Sequence, residues 1–350
     1  MQIGTTMPTH SYNWKRFWGP RTGQMNLADG GYLPDPDGEW TRFYNPDLVP
    51  FESIAEVQCL GLLGEPGIGK SFALAAERAA VEARIRAQGG EVIWMDLREY
   101  GSEDRLVRDL FDSPTYTAWA QGGHYLHVFL DSLDECLVRV STVAGILASK
   151  LRECPRERLH LRIACRTADW PSSLESALVG YWGEQAVRVY ELAPLRRVDV
   201  IEAAGANGLS TDTFIQAIDR AGAVPLATRP ITLQFLLNAF SRSGKLPSKQ
   251  TELYMEGCWL LCEEANEERR DAGLTGDLSA EQRLAVAGRV AVATVFANRA
   301  GVWVGVDRGD VPEDDVRVAE LSGGTVNVGG DRFSATEAAV RETLGTGLFS

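Results

Sequence analysis

Residues 57 to 85, VQCLGLLGEPGIGKSFALAAERAAVEARI, carry the reading on which the fold turns. VQCLGLL is a largely apolar run of strand length, the pattern of a strand buried on both faces. FALAAERAAVEARI is built from strong helix formers, and Gly89 and Gly90 close it. Between them GEPGIGKS fits the spacing GxxxxGK[ST], with Gly64, Gly69, Lys70 and Ser71 at the defining positions. Glycines there let successive backbone N–H groups turn toward one phosphate, and the helix N-terminus adds its positive dipole end. The predicted nucleotide-binding set is therefore Gly64, Glu65, Pro66, Gly67, Ile68, Gly69, Lys70, Ser71 and Phe72. Lys70 is placed to reach the β and γ phosphates and the Ser71 hydroxyl to hold Mg²⁺. Only five of the 35 basic residues are lysine, so a lysine at this position in an arginine-rich chain is informative.

Downstream, four more apolar runs alternate with amphipathic helical segments: EVIWMDL, YLHVFLD, LHLRIACR and AVRVYEL. Strands alternating with helices predict an α/β fold, the parallel sheet of a P-loop NTPase with helices on both faces. The run HYLHVFLDSLDEC ends in Asp131, followed by Asp134 and Glu135. A carboxylate at the carboxyl end of a parallel strand beside the phosphate loop suits a Mg²⁺ water shell, which makes Asp131 and Ser71 the predicted metal residues. Asp134 and Glu135 are both candidates for orienting or deprotonating an attacking water. LHLRIACRTADWP sets Arg166 just past the next strand, either as a sensor of the terminal phosphate or as one half of a surface ion pair. The predicted catalytic group is Lys70, Asp131, Asp134, Glu135 and Arg166.

His124 and His127 flank a buried strand without a partner at metal spacing, and Cys258 and Cys262 stand one helical turn apart with no histidine near, so both pairs read as core. None of the lysines follows an asparagine, which removes the NKxD element of guanine recognition and favours ATP or ADP. The net charge of −13 argues against a direct nucleic-acid or membrane-surface partner. No apolar stretch reaches the length of a membrane span and no signal core opens the chain, so a cytoplasmic protein with reduced cysteines is expected.

With these residues in place the chain resembles STAND-class NTPases of the NACHT or bacterial antiviral kind. CLGLLGEPGIGKS resembles the family's phosphate loop, and FLDSLDE its hhhhDGxDE box, with Ser132 in the small-residue slot. The strand ending in Arg166 resembles its sensor 1, ELAPLRR and the following helices its lid, and RPITLQFLL the segment whose proline lies by the adenine, here Pro230 or Pro225. The resemblance implies an ATP/ADP switch that hydrolyses slowly and self-oligomerises on activation, with sensor and effector regions fused downstream or encoded separately. A remodelling ATPase of the AAA+ sort and a binding scaffold without turnover are the competing readings. Adjacent Asp–Glu is usual in the former, whereas here Ser132 follows Asp131.

The expected organisation is an irregular leader over 1–52, the NTPase domain over 53–195, a helical lid over 196–248 and a winged-helix-like helical domain over 249–350. GTGLFS reads as the first strand of a wing without its hairpin partner, so the last domain is expected to be incomplete.

Overall fold

Each of the five apolar runs becomes a strand, and the segment read as a leader adds two more. In the computed structural model the strands are β1 (Phe17–Pro20), β2 (Val49–Pro50), β3 (Cys59–Leu63), β4 (Glu91–Asp96), β5 (Leu126–Asp131), β6 (Leu159–Cys165) and β7 (Val187–Leu192). They form one sheet in the order β2-β1-β7-β3-β6-β5-β4. The inner ladders β7-β3, β3-β6, β6-β5 and β5-β4 are all parallel, while β1 runs antiparallel to β7 and to β2. One strand, β6, therefore separates the strand that feeds the phosphate loop from the strand that ends in Asp131. The structure describes residues 12, 14–21, 23–85, 89–247, 249–263, 278–297, 299, 301–304, 311, 314–346 and 348–349.

The helices of this part are α1 (Lys70–Ile85), α2 (Glu103–Leu110), α3 (Pro114–Gln121), α4 (Val140–Leu151), α5 (Ser172–Trp182), α6 (Arg197–Ala206), α7 (Thr211–Ala221), α8 (Val224–Ala227) and α9 (Pro230–Ser243). Side chains alternate across a strand, and the two cores follow that period. Cys59, Leu63, Val128, Leu130, Leu161 and Ile163 pack with Leu106, Trp119, Val143, Leu147 and Leu174 from α2 to α5. On the other face Leu60, Leu62, Phe129 and Ala164 pack with Ala73, Leu74, Val81 and Ile85 of α1. This is the α/β arrangement of a P-loop NTPase, with helices on both faces.

The leader is not irregular throughout. Trp18 pairs with Leu192 across β1 and β7, and both Phe17 and Trp18 are buried. With consecutive residues buried on opposite faces of a four-residue strand, there is no alternation for a sequence reading to find.

The chain divides into two compact units, Met1–Leu237 and Asn238–Ser350, with the division inside α9. The second unit contains α10 (Gln250–Glu263), α11 (Ala280–Phe296), the parallel pair β8 (Gly301–Trp303) and β9 (Asp315–Arg317), α12 (Val318–Leu321), the antiparallel hairpin β10 (Thr325–Val328) and β11 (Asp331–Ser334), and α13 (Glu337–Leu344). Val286, Val290, Val316, Val318, Leu321 and Val340 form its core. Arg283 ties it internally, at 2.8 Å from Glu342 and 2.9 Å from the Cys262 carbonyl. The expected terminal strand is absent among the described residues. After α13 the chain turns instead, Phe349 N–H donating to the Thr346 carbonyl at 3.1 Å, and the Phe349 ring packs on the core. The hairpin precedes the last helix rather than following it. Within the described residues no helix is long and apolar enough to cross a membrane.

Under α1 lies a polar layer. His127 and His160 stack with ring centroids 4.5 Å apart, and Arg162, almost wholly buried, donates to the carbonyls of Gln58, Leu161 and Ala55. Burial, then the neighbouring positive charges, push His127 down to about 3; burial and Arg162 push His160 down to about 4, against Glu56. Both imidazoles are neutral in the fold and take up protons on unfolding, so their contribution to stability is present above pH 6.5 and is lost as pH falls toward 4. Glu77 on α1, pushed up to about 7 by burial and Glu52, works in the opposite direction. Comparing variants isolates the histidines. The His127→Gln, His160→Gln double variant should lose less stability than the wild type between about pH 7 and pH 5 in denaturant titrations; equal slopes would contradict neutral, buried rings.

Candidate functional site

The site stands at the carboxyl edge of the inner strands, where β3 runs into residues 64–69 and α1 begins at Lys70. Two loop glycines adopt conformations that other residues rarely take. Gly67 has φ of +71° and Gly69 of +95°, and a side chain at Gly67 would collide with Ile231. Ile68 is buried and anchors the loop, while Glu65 and Pro66 are exposed on its outer turn and Phe72 is 49% exposed on α1. The Lys70 ammonium donates to the carbonyls of Gly64 at 2.7 Å and Glu65 at 3.4 Å. Burial holds Lys70 below its usual range, partly opposed by Asp134.

Asp131 ends β5 and is 1% exposed. Its Oδ1 has no hydrogen-bond partner among the described residues. Burial raises Asp131, and the Ser71 side chain opposes that shift. The residue that follows, Ser132, has φ of 58° and ψ of 49°, and among the described residues it is the one non-glycine with positive φ. That left-handed turn aims Leu133–Glu135, a single 3-10 turn, back across the strand ends.

Arg166 lies past the end of β6, between the two downstream carboxylates. Its Nη2 donates to Glu135 Oε1 at 2.9 Å, its backbone N–H donates to Asp134 Oδ1 at 2.8 Å, and Nε lies 2.9 Å from Asp134 Oδ2. The Nε contact is an ion pair without hydrogen-bond alignment, since that nitrogen has no aligned acceptor. Burial works against the Arg166 charge, but the Glu135 bond and the Asp134 charge outweigh it and raise the group. The ion-pair reading of Arg166 therefore describes its contacts, though these partners belong to the acidic box rather than to open surface. Asp134 is nearly sealed, its side chain 4% exposed, against 30% for Glu135.

Pro230 is the first residue of α9 and stands against the loop: a side chain on Gly69 would meet its Cγ at 3.4 Å. The next residue, Ile231, donates its N–H to the Gly67 carbonyl at 3.5 Å. Pro225 lies within α8, its carbonyl accepting from Thr228 Oγ1 at 3.1 Å.

The sequence reading passed over three site residues. Asp96 ends β4 in register with Asp131 and is gripped by Arg98, whose Nη2 lies 2.6 Å from Asp96 Oδ2. Burial would raise Asp96, but the Arg98 bonds hold it low; Arg98 in turn is raised by Asp96 first, then by Glu135 and Asp131. The signal was present, because EVIWMD ends in a carboxylate just as LHVFLD does. Arg16 is the third, donating to the Ile68 carbonyl of the loop at 3.0 Å, and nothing in the local sequence around it announces a contact 52 residues away.

No protein-family model matches the chain, and no curated protein matches it. Among solved structures it is similar to the RuvB Holliday junction branch migration motor of Thermotoga maritima, at 13% identity and a TM-score of 0.35, with 82% of this chain and 88% of that one covered. It is also similar to the Aeropyrum pernix ORC1 protein in complex with DNA (15%, 0.41, 80% and 77%) and to a Walker-type ATPase of Pyrococcus abyssi (14%, 0.35, 84% and 93%). Likeness at this level names no family, and the fold assignment rests on the strand order and the loop.

The left-handed Ser132 costs about 1–2 kcal/mol relative to glycine. Ser132→Gly should raise stability by about 1 kcal/mol in denaturant unfolding, and Ser132→Val should lower it by more than that. A glycine variant less stable than the wild type would mean that the hydroxyl, not the backbone, is what the position requires.

Proposed function

We propose that the chain is an ATP-binding, slowly hydrolysing switch of the STAND or NACHT kind, whose nucleotide state controls self-association. The observation that carries this reading is the gathering of Lys70, Ser71, Asp131, Glu135 and Arg166 at one sheet edge, with Glu135 engaged by Arg166 at 2.9 Å. While Glu135 Oε1 accepts from Arg166 that oxygen is not open to a water, so hydrolysis is restrained until Arg166 is drawn elsewhere. A terminal phosphate is the natural competitor for that arginine, being a multiply charged acceptor suited to a planar fork.

The donor set fits Mg²⁺. A hydroxyl and a buried carboxylate with a free Oδ1 are hard oxygen ligands of the kind the ion takes alongside water and phosphate. Ser71 and Asp131 would hold it, and when bound it neutralises charge on the β and γ phosphates. Lys70 would leave the Gly64 and Glu65 carbonyls for those phosphates. Between the two candidates for water activation, Glu135 is favoured. It keeps access to solvent, whereas Asp134 is sealed and fully occupied in holding the Arg166 backbone and guanidinium. Pro230 and Ile231, at the start of α9 and against the loop, make the lid helix the element that would report the occupant of the loop.

Calorimetry of Lys70→Ala should show loss of ATP and ADP binding, and unchanged affinity would refute the phosphate-loop assignment. Glu135→Gln should bind ATP and not turn it over. If Asp134→Asn is the inactive variant and Glu135→Gln hydrolyses normally, the two roles are exchanged. A wild-type turnover as fast as that of a remodelling motor would remove the switch reading while keeping the ATPase.

A further inference from the structure

The segment before β1 reaches into the phosphate loop through one side chain. Arg16 Nη1 donates to the Ile68 carbonyl at 3.0 Å, and Nη2 donates to the Ala193 carbonyl at 2.7 Å, just past the end of β7. A Cβ on Gly69 would lie 3.0 Å from Arg16 Nη1, so the guanidinium lies directly against the loop backbone. A trans peptide points its C=O and N–H in opposite directions. By holding the Ile68 carbonyl outward, Arg16 turns the Gly69 N–H away from itself and toward the inside of the loop, where an anion is bound by such groups. Arginine alone supplies this contact, because two carbonyls in different elements require a planar fork.

The same arginine belongs to a charged cluster at the root of the lid. Burial lowers it to about 10, and Asp199 is the neighbour that opposes this. Asp199, 2% exposed, is held by Arg196 at 2.6 Å, and Arg196 also reaches Asp35 at 3.0 Å. Arg197 pairs with Asp29 at 3.1 Å. Arg16 is thereby fastened to the loop, and Asp29 and Asp35 to the start of α6.

We propose that Arg16 is a positioning residue of the phosphate loop, and that through it β1 responds to bound nucleotide. The proposal rests on the nucleotide-binding reading of the loop. Coupling is reciprocal: if fixing Arg16 favours nucleotide, nucleotide must fix Arg16 and the strand it belongs to.

The test uses the full chain with Mg–ADP. In the wild type, saturating ADP slows amide exchange at residues 64–71 and, by roughly fivefold, at residues 17–20. Arg16→Met weakens ADP binding roughly tenfold by calorimetry, and Arg16→Lys, which reaches one carbonyl, restores part of that loss. Lys15→Met leaves affinity unchanged, since the exposed Lys15 ammonium pairs with Asp37 and lies over the Phe17 ring rather than on the loop. Wild-type affinity in Arg16→Met overturns the proposal, and so does protection of 64–71 without any at 17–20. Should Arg16→Met fail to fold, the wild-type exchange pattern decides alone. Lys70→Ala distinguishes the two levels: if it binds ADP as the wild type does, the loop reading falls and the inference with it, whereas its failure to bind beside a normal Arg16→Met sinks the inference only.

Discussion

Parallel pairing of β7, β3, β6, β5 and β4 is the constraint from which the site follows. When strands share a direction, all their carboxyl ends emerge at one edge, and residues far apart in sequence meet there without any loop having to travel. The register makes this specific. Leu63 of β3 sits opposite Cys165 of β6, so Gly64 and Arg166 leave the sheet side by side. Asp96 sits opposite Asp131, so the two strand-terminal carboxylates are neighbours. A slip of one residue in either ladder would turn a strand's side chains to the opposite face and scatter the site.

Bringing these ends together concentrates charge. Asp96, Asp131, Asp134 and Glu135 share the edge with Lys70, Arg98 and Arg166; Asp131 and Asp134 are nearly sealed and the others partly exposed. The four carboxylates are not treated alike. Asp96 is satisfied by Arg98, Asp134 by Arg166 and Glu135 by Arg166 at Oε1, while Asp131 is the one of the four with a buried oxygen lacking a hydrogen-bond partner among the described residues. Unpaired buried oxygen is costly, and the cost falls on the one carboxylate placed across from Ser71. The strain of Ser132 falls in the same place, which is where structures tolerate it when geometry matters more than stability.

Much of this was legible. Five strands, the loop, the acidic box and Arg166 all announce themselves through apolar runs ending in glycine or charge, because burial on both faces leaves a continuous pattern and the strand end breaks it. What escaped is what lacks a local pattern. β1 is only four residues long and its burial shows no alternation, so FWGP looks like coil. Arg16 and Arg162 make their bonds to backbone carbonyls, which have no sequence signature at all. GTGLFS has the composition of a turn leading into a strand, and the core contact of Phe349 decides for the turn. Which of Pro225 and Pro230 stands against the loop depends on which helix begins there, a tertiary fact.

The arginine-rich composition acquires a structural sense from these contacts. Arg16, Arg98, Arg162, Arg166, Arg196 and Arg283 each bridge at least two acceptors or close on one carboxylate with more than one nitrogen. A guanidinium can do this while losing less solvation than an ammonium, and in a fixed plane that sets the geometry of both partners. Lys70 is different: it is held by two carbonyls on its own loop, and its flexible stem leaves the ammonium able to move. The division of labour is physical: planar, permanently charged forks hold the frame of the site, and the one cation on the loop itself is the kind that can be displaced.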